Sequence, residues 1–103
     1  MTSIDTGLRH EIVLFRFLPD CPYEQQHAYM DAMAAWLARQ PGYLRRQCFY
    51  EEGQNRWIDI VTWQSLAFAE QAMARSLEDP DLQPVLANID SADITMGHYV
   101  QVA

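Results

Sequence analysis

The order of its apolar segments most constrains what this chain can fold into. Residues His10–Leu18 form a run rich in Ile, Val, Leu and Phe, which predicts a strand that ends at Pro19–Asp20. A helix is expected over Pro22–Gln40, because proline suits the first helical position and apolar residues recur on one side. Pro41–Gly42 ends this helix, so the next strand is expected to begin at once.

Later segments continue the alternation of strands and helices. A serine at an N-cap position, Ser65, begins a run of helical spacing that Asp79–Pro80 interrupts, which predicts a second helix. Residues 81–89 indicate one or two further helical turns, and residues 90–93 a polar loop. The remaining strands, the first two joined by a hairpin turn, are expected at Tyr43–Glu51, Arg56–Trp63 and Ile94–Val102.

This β-α-β-β-α-β order is typical of the ferredoxin-like α+β fold. Such a domain stacks two helices on one face of a four-stranded antiparallel sheet. A chain of 103 residues is the usual size for one domain with one core. We therefore expect an N-terminal tail at residues 1–9 and a single domain at residues 10–103.

The sheet face opposite the helices is predicted to be apolar. In the first strand both alternating sets of residues are largely hydrophobic, so neither face can be polar. An apolar face without a helix layer must be buried against something, and a second copy of the chain is the simplest partner. We expect a homodimer whose two sheets pack into a barrel-like core, forming a dimeric α/β barrel.

Charge and composition argue against several classes of partner. Fourteen acidic and seven basic residues give a formal net charge of −7, which repels nucleic acid and anionic membrane surfaces. No segment is apolar over the length needed to span a bilayer. The N-terminus lacks the pattern of a secretory signal, so a cytoplasmic location is expected, with Cys21 and Cys48 as free thiols.

Two stretches of the chain resemble a known family. Pro41–Leu44 after a long helix, and Arg56–Ser65 running into an Ala-rich helix, are similar to the dimeric α/β-barrel superfamily and its antibiotic-biosynthesis-monooxygenase-like (ABM) group. The resemblance covers residues 10–102. It implies a dimer with one pocket per subunit between sheet and helices, and chemistry that ranges from cofactor-independent oxygenation of quinols and polyketides to haem degradation.

The haem-degrading branch of that superfamily carries a Trp and a His on or just after its second helix. The matching stretch here, Ala69–Ser76, contains neither residue, so haem degradation is not expected. Haem binding through His98 remains a minority alternative. We expect no cofactor and no metal site.

Strand alternation singles out Asp59, which shares a face with Trp57 and Trp63. A buried carboxylate is costly unless it is paired or hydrogen-bonded. Asp59 is therefore predicted either to form an ion pair or to act in a pocket as a general base or substrate anchor. The candidate ion-pair partners are Arg16, Arg46 and Arg56.

The last strand contributes His98, either as a proton shuttle or as a structural residue. Asp59 and His98 are the predicted catalytic residues. The residues predicted to bind substrate are Trp57, Trp63, Arg16, Tyr50 and Phe15. The leading hypothesis is a protein that binds a small aromatic or quinone-like compound, with oxygenation by a cofactor-independent monooxygenase reaction. The alternative is a non-catalytic ligand-binding or assembly module.

Overall fold

The computed structural model describes residues 7–103, and it confirms the predicted order of strands and helices. Most of the N-terminal tail expected at residues 1–9 lies outside the described residues. The elements are β1 (Arg9–Phe17), α1 (Tyr23–Leu37), β2 (Tyr43–Glu51), β3 (Arg56–Trp63), α2 (Leu66–Glu78), α3 (Gln83–Ala87) and β4 (Ile89–Tyr99).

Local chemistry sets the limits of the second helix and of the turn that faces it. The Ser65 hydroxyl accepts a hydrogen bond from the backbone N–H of Phe68 at 3.3 Å, which caps α2 as predicted. Gly42 has a φ of 83° and lies directly against the Phe68 ring. A Cβ at this position would collide with the ring, so the turn before β2 needs glycine for both conformation and space.

The start of the last strand differs from the sequence prediction. Residues 90–93 were expected to be a loop, but β4 begins at Ile89 and runs through them. The polar residue Asp93 is accommodated in this edge strand because its carboxylate forms ion pairs with Arg16 and Arg56. At its other end β4 stops at Tyr99, short of the predicted end at residue 102.

The sheet has the order β2-β3-β1-β4, with every neighbouring pair antiparallel. Directly paired residues share a face, so the registers define rows of side chains that point toward the helices. One such row consists of Arg46, Val61, Glu11 and His98, and the next consists of Cys48, Asp59, Val13 and Met96. These two rows form the floor of the space between the sheet and the helices.

The core occupies that space in two hydrophobic clusters. One cluster is built around Trp36, Trp63 and Leu82, and the other around Phe17 and Trp57. Both join the buried face of the sheet to the helices above it. No helix among the described residues has the length and hydropathy to cross a membrane.

The other face of the sheet carries no helix, and its centre is apolar. Here Ile12 lies opposite Ile60, and Leu14 lies opposite Ile58. All four side chains are only partly buried, and Phe49 beside them is 54% exposed. The sequence prediction of an apolar second face is therefore confirmed for the two central strands.

Candidate functional site

A cavity of about 370 Å³ lies between the sheet and the helices. Most of its wall is apolar, with aromatic side chains such as Phe15, Phe17 and Trp36. Every methionine among the described residues also lines it, and methionine is the apolar side chain that adapts most easily to irregular shapes. These methionines are Met30, Met33, Met73 and Met96.

The first polar feature of the cavity is an ion pair between Arg46 and Asp59. Arg46 Nε donates to Asp59 Oδ1 at 2.8 Å, and Arg46 Nη2 donates to Asp59 Oδ2 at 2.7 Å. The two side chains are 6% and 12% exposed. Arg46 Nη1 also donates to the carbonyl oxygen of Met30 at 2.9 Å, which ties β2 to α1. Such a forked, buried contact holds both charged groups in one geometry.

This ion pair also affects the pKa of neighbouring groups. Burial opposes the charge of Arg46, yet the hydrogen bonds and charge of Asp59 raise the pKa of the guanidinium. Burial, together with the Asp59 carboxylate, raises the pKa of Cys48 to about 11. The Cys48 thiol is therefore protonated at neutral pH and is a poor nucleophile.

The second polar feature is a contact between Glu11 and His98. The Glu11 carboxylate lies 2.9 Å from His98 Nε2, and Glu11 as a whole is only 8% exposed. Burial raises the pKa of Glu11, although the hydrogen bond and charge of His98 partly oppose that effect. The His98 side chain is 21% exposed, so this pair connects the cavity wall to solvent.

The third polar feature is the indole N–H of Trp63. Trp63 is 1% exposed and lines the cavity, and its Nε1 is the one buried side-chain nitrogen or oxygen in residues 7–103 without a hydrogen-bond partner. The N–H weakly favours the charged form of Glu11, but the geometry is not that of a hydrogen bond. By contrast, Trp57 donates to Gln26 Oε1 at 3.0 Å, and Trp36 donates to Asp79 Oδ2 at 2.8 Å.

The structure brings together only part of the predicted site. Asp59, Trp63 and Phe15 line the cavity, and His98 joins it through Glu11. Asp59 forms the ion pair that was one of its two alternatives, and it does so with Arg46.

Three predicted substrate-binding residues lie elsewhere. Trp57, Tyr50 and Arg16 are not part of the cavity wall. The Tyr50 hydroxyl lies 2.6 Å from Asn55 Oδ1, and the Tyr50 ring packs against Trp57 at a centroid distance of 4.8 Å. Arg16 binds Gln54 and Asp93 at the edge of the sheet.

Sequence reasoning missed Glu11 as a functional candidate. The signal was present, because Glu11 has the same strand parity as Val13 and Phe15 and had to point toward the core with them. It also missed that the methionines gather around the cavity, because they come from three elements, α1, α2 and β4, that are distant in the sequence. Among residues 7–103 there is no group of three or more His, Cys, Asp or Glu side chains arranged to hold a metal ion.

A four-stranded antiparallel sheet, helices on one face and a mainly apolar cavity between the layers define a ferredoxin-like protein with an internal pocket. SnoaB, a cofactor-independent oxygenase from Streptomyces nogalater, is similar in structure at 21% identity and a TM-score of 0.69, over 95% of this chain and 94% of that chain. Rv0793 from Mycobacterium tuberculosis is similar at 12% identity and a TM-score of 0.71, over 93% and 96% of the two chains.

A candidate antibiotic biosynthesis monooxygenase from Bordetella bronchiseptica is also similar, at 14% identity and a TM-score of 0.71, over 95% of this chain and all of that chain. No protein-family model matches the sequence, and no curated protein matches it. The chain therefore shares the ferredoxin-like fold of these ABM-like structures, as the resemblance noted in the sequence implied. At these levels of identity the likeness is one of fold.

Proposed function

We propose that this protein binds a small aromatic or quinone-like compound in the cavity between sheet and helices and oxygenates it without a cofactor. The observation that carries the proposal is the unpaired indole N–H of Trp63 in a wall that is otherwise mainly apolar. A buried donor without a partner is costly, and a ligand oxygen placed beside it removes that cost. The ligand that fits is a ring compound with a carbonyl or phenolic oxygen.

Charge narrows the class of ligand further. The Arg46 charge is neutralised by Asp59, and the cavity wall contains a second carboxyl group, Glu11, but no second Lys or Arg among the described residues. The chain as a whole also carries a formal charge of −7. A carboxylate or phosphate would meet repulsion at this site, so the favoured ligand is neutral.

The reaction needs no external reductant. A base removes a proton from the hydroxylated ring, and the electron pair left behind delocalises into the ring. The resulting carbanion passes electrons to O₂ directly. One oxygen atom ends as a new ring carbonyl in place of two hydrogen atoms, and the other leaves with those hydrogens as water. The protein's contribution is to bind the ring, stabilise the anion and exclude water.

In this scheme Trp63 and Phe15 contact the ring, and a polar group of the cavity wall supplies the base, a role for which the sequence predicts Asp59 or His98. Catalytic roles for Asp59 and His98 remain predictions. The ion pair with Arg46 favours an anchoring role for Asp59, because accepting a proton would break two charge-assisted hydrogen bonds. The same ion pair favours ligand binding without catalysis as the second candidate function.

Oxygen consumption by purified, metal-free protein tests the proposal against a panel of quinols and phenols. We expect uptake that depends on both protein and ligand. Titration calorimetry with the same panel separates the two candidates, because a binder without catalysis gives heat and a flat oxygen trace. If none of the compounds binds, both candidate functions are refuted.

A matched pair of variants locates the binding site. Trp63→Phe keeps an aromatic side chain and removes the unpaired donor, so it should weaken ligand binding, and it should cost less stability than the same change at Trp57 because no hydrogen bond is lost. Trp57→Phe removes an N–H that already binds Gln26 outside the cavity, so it should cost stability and leave affinity largely intact. The reverse pattern would place the ligand elsewhere.

We also propose that the protein is a homodimer. The apolar centre of the uncovered sheet face is formed by Ile12, Leu14, Ile58 and Ile60, with the exposed ring of Phe49 beside them. Two copies that pack these faces together would remove the patch from water. Sedimentation equilibrium should give twice the chain mass, and the mass of one chain would contradict the proposal.

A further inference from the structure

Glu11 is a second carboxylate in the cavity, and its surroundings differ from those of Asp59. Asp59 is held by two hydrogen bonds from Arg46. Glu11 forms one side-chain hydrogen bond, with His98, and the Trp63 N–H adds a weaker effect that also favours its charged form, which leaves lone pairs of the carboxylate free toward the cavity that it lines. Of the two acids, Glu11 is the one able to accept a proton without losing an ion pair.

Glu11 also lies close to Trp63 on the cavity floor. Glu11 pairs with Val61 across the sheet, and Trp63 lies two residues further along the same strand and on the same face. An acceptor for a proton and an unpaired donor for an oxyanion therefore lie next to each other on the cavity floor. A ligand with both an acidic hydrogen and a ring oxygen can contact the Glu11 carboxylate with the hydrogen and the Trp63 N–H with the oxygen at the same time.

The other charged groups around Glu11 are few. His98 on β4 and Arg46 on β2 lie in the same row of side chains as Glu11, and Asp59 on β3 lies in the next row. Among the described residues, the helices contribute no charged side chain to the cavity wall. The Ser76 hydroxyl, which also lines the cavity, donates its hydrogen bond to the carbonyl oxygen of Met73 at 2.7 Å. The ionisation of Glu11 is therefore controlled mainly by burial and by His98.

We propose that Glu11 is the general base of this cavity, with His98 as its positioning residue and Trp63 as the donor that stabilises the anion formed. The inference rests on the proposed function, since it concerns the same site. A C–H or O–H bond of the bound compound breaks, its electron pair stays on the ligand and delocalises onto the ring oxygen, and the proton passes to a Glu11 carboxylate oxygen. His98 holds that carboxylate in place, and its hydrogen bond favours the charged form of the carboxylate.

Raising the pKa of Glu11 by burial serves this role, because a base is most effective when its pKa approaches the working pH. The hydrogen bond from His98 opposes that rise, because it favours the charged form of the carboxylate. Loss of that hydrogen bond should therefore shift the activity of Glu11 to higher pH.

The test uses exchange of hydrogen for deuterium in place of oxygenation. The probe is 2-tetralone, a neutral aromatic ketone with an acidic CH₂ group between its ring and its carbonyl. Exchange of this CH₂ is followed by NMR in deuterated buffer without oxygen, and binding of the ketone is measured separately by calorimetry. Proton abstraction is thus observed even if the protein performs no oxygen chemistry.

Wild-type protein should accelerate the exchange. Glu11→Gln should lower the protein-catalysed rate by about 10²-fold or more, the usual contribution of a general base. Glu70→Gln removes an exposed acid on α2 outside the cavity and should leave the rate unchanged. Trp63→Phe should lower the rate by about 10²-fold through loss of the oxyanion donor.

The pH profile separates a positioning role of His98 from a merely structural one. His98→Phe keeps a ring and removes the hydrogen bond to Glu11, so the midpoint of the rate profile should move to higher pH while binding persists. This variant also serves if Glu11→Gln fails to fold.

The possible results separate the role of Glu11, the role of His98 and the binding of the ligand. Bound ketone without catalysed exchange, or full exchange by Glu11→Gln, would overturn the inference while leaving the binding site intact. An unmoved midpoint in His98→Phe would overturn the role of His98. If neither the ketone nor any quinol binds, the proposed function itself fails. Exchange that is lost in Glu11→Gln but occurs without oxygen uptake would support Glu11 as the base and refute only the oxygenation step.

Discussion

The buried ion pair between Arg46 and Asp59 should dominate the stability of the cavity floor. Asp59→Asn removes the negative charge with little change of volume. The amide oxygen still accepts one hydrogen bond from Arg46, but the amide NH₂ group is a donor and leaves the second guanidinium N–H without its acceptor. Both side chains are at least 88% buried, so bulk water cannot replace the lost partner.

The expected loss is about 3–5 kcal/mol, the usual cost of removing one partner from a buried pair. A domain of this size is stable by about 5–15 kcal/mol, so the variant should be close to unfolding at 37 °C. With about 4–8 °C per kcal/mol, Tm should fall by at least about 12 °C. Urea and thermal unfolding followed by circular dichroism, at one fixed protein concentration, measure both quantities.

Asp93→Asn is the matched control. The same chemical change is made to a partly exposed pair, in which Arg16 and Asp93 are 32% and 38% exposed. Exposed pairs contribute about 1 kcal/mol or less. Equal losses in the two variants would refute the reasoning, because they would show that burial does not amplify the Arg46–Asp59 contact.

Three further predictions concern other parts of the molecule. Ile60→Glu places a charge on the uncovered sheet face and should convert a dimer to a monomer in sedimentation, whereas an unchanged mass would place the interface elsewhere. The folded-state pKa of Glu11 is raised, so this residue stabilises the folded state below pH 4.5 and loses that contribution as pH rises through the folded-state pKa. The difference in the free energy of unfolding between wild type and Glu11→Gln, measured in urea, should therefore shrink or reverse as pH rises. A difference that stays constant with pH would contradict this. Gly42→Ala should cost more than about 1 kcal/mol because of its positive φ and the adjacent Phe68 ring. Gly53→Ala, where a Cβ would make only ordinary van der Waals contact with Glu51, should be nearly neutral in the same assay.

The sequence predicted the fold well where the signals are local. Pro22 and Ser65 marked helix starts through their own backbone preferences, and the polar turn between β2 and β3 marked both strands to the residue. The end of α1 was predicted less well, because the helix stops at Leu37 and not at Gln40, directly before Pro41–Gly42. The start of β4 could not be predicted this way, because Asp93 has the composition of a loop and becomes a strand residue through partners distant in the sequence.

For the candidate site too, local features were predictable from the sequence and contacts between distant residues were not. By itself the sequence determined the strand and helix order, the apolar second face of the sheet and the inward direction of Asp59 and Trp63, because periodicity and turn chemistry act between near neighbours. Only the tertiary structure decided that Asp59 pairs with Arg46, that Glu11 meets His98, and that the Trp63 N–H has no partner. Those contacts join separate strands, so they depend on sheet register and on how the helices pack above it.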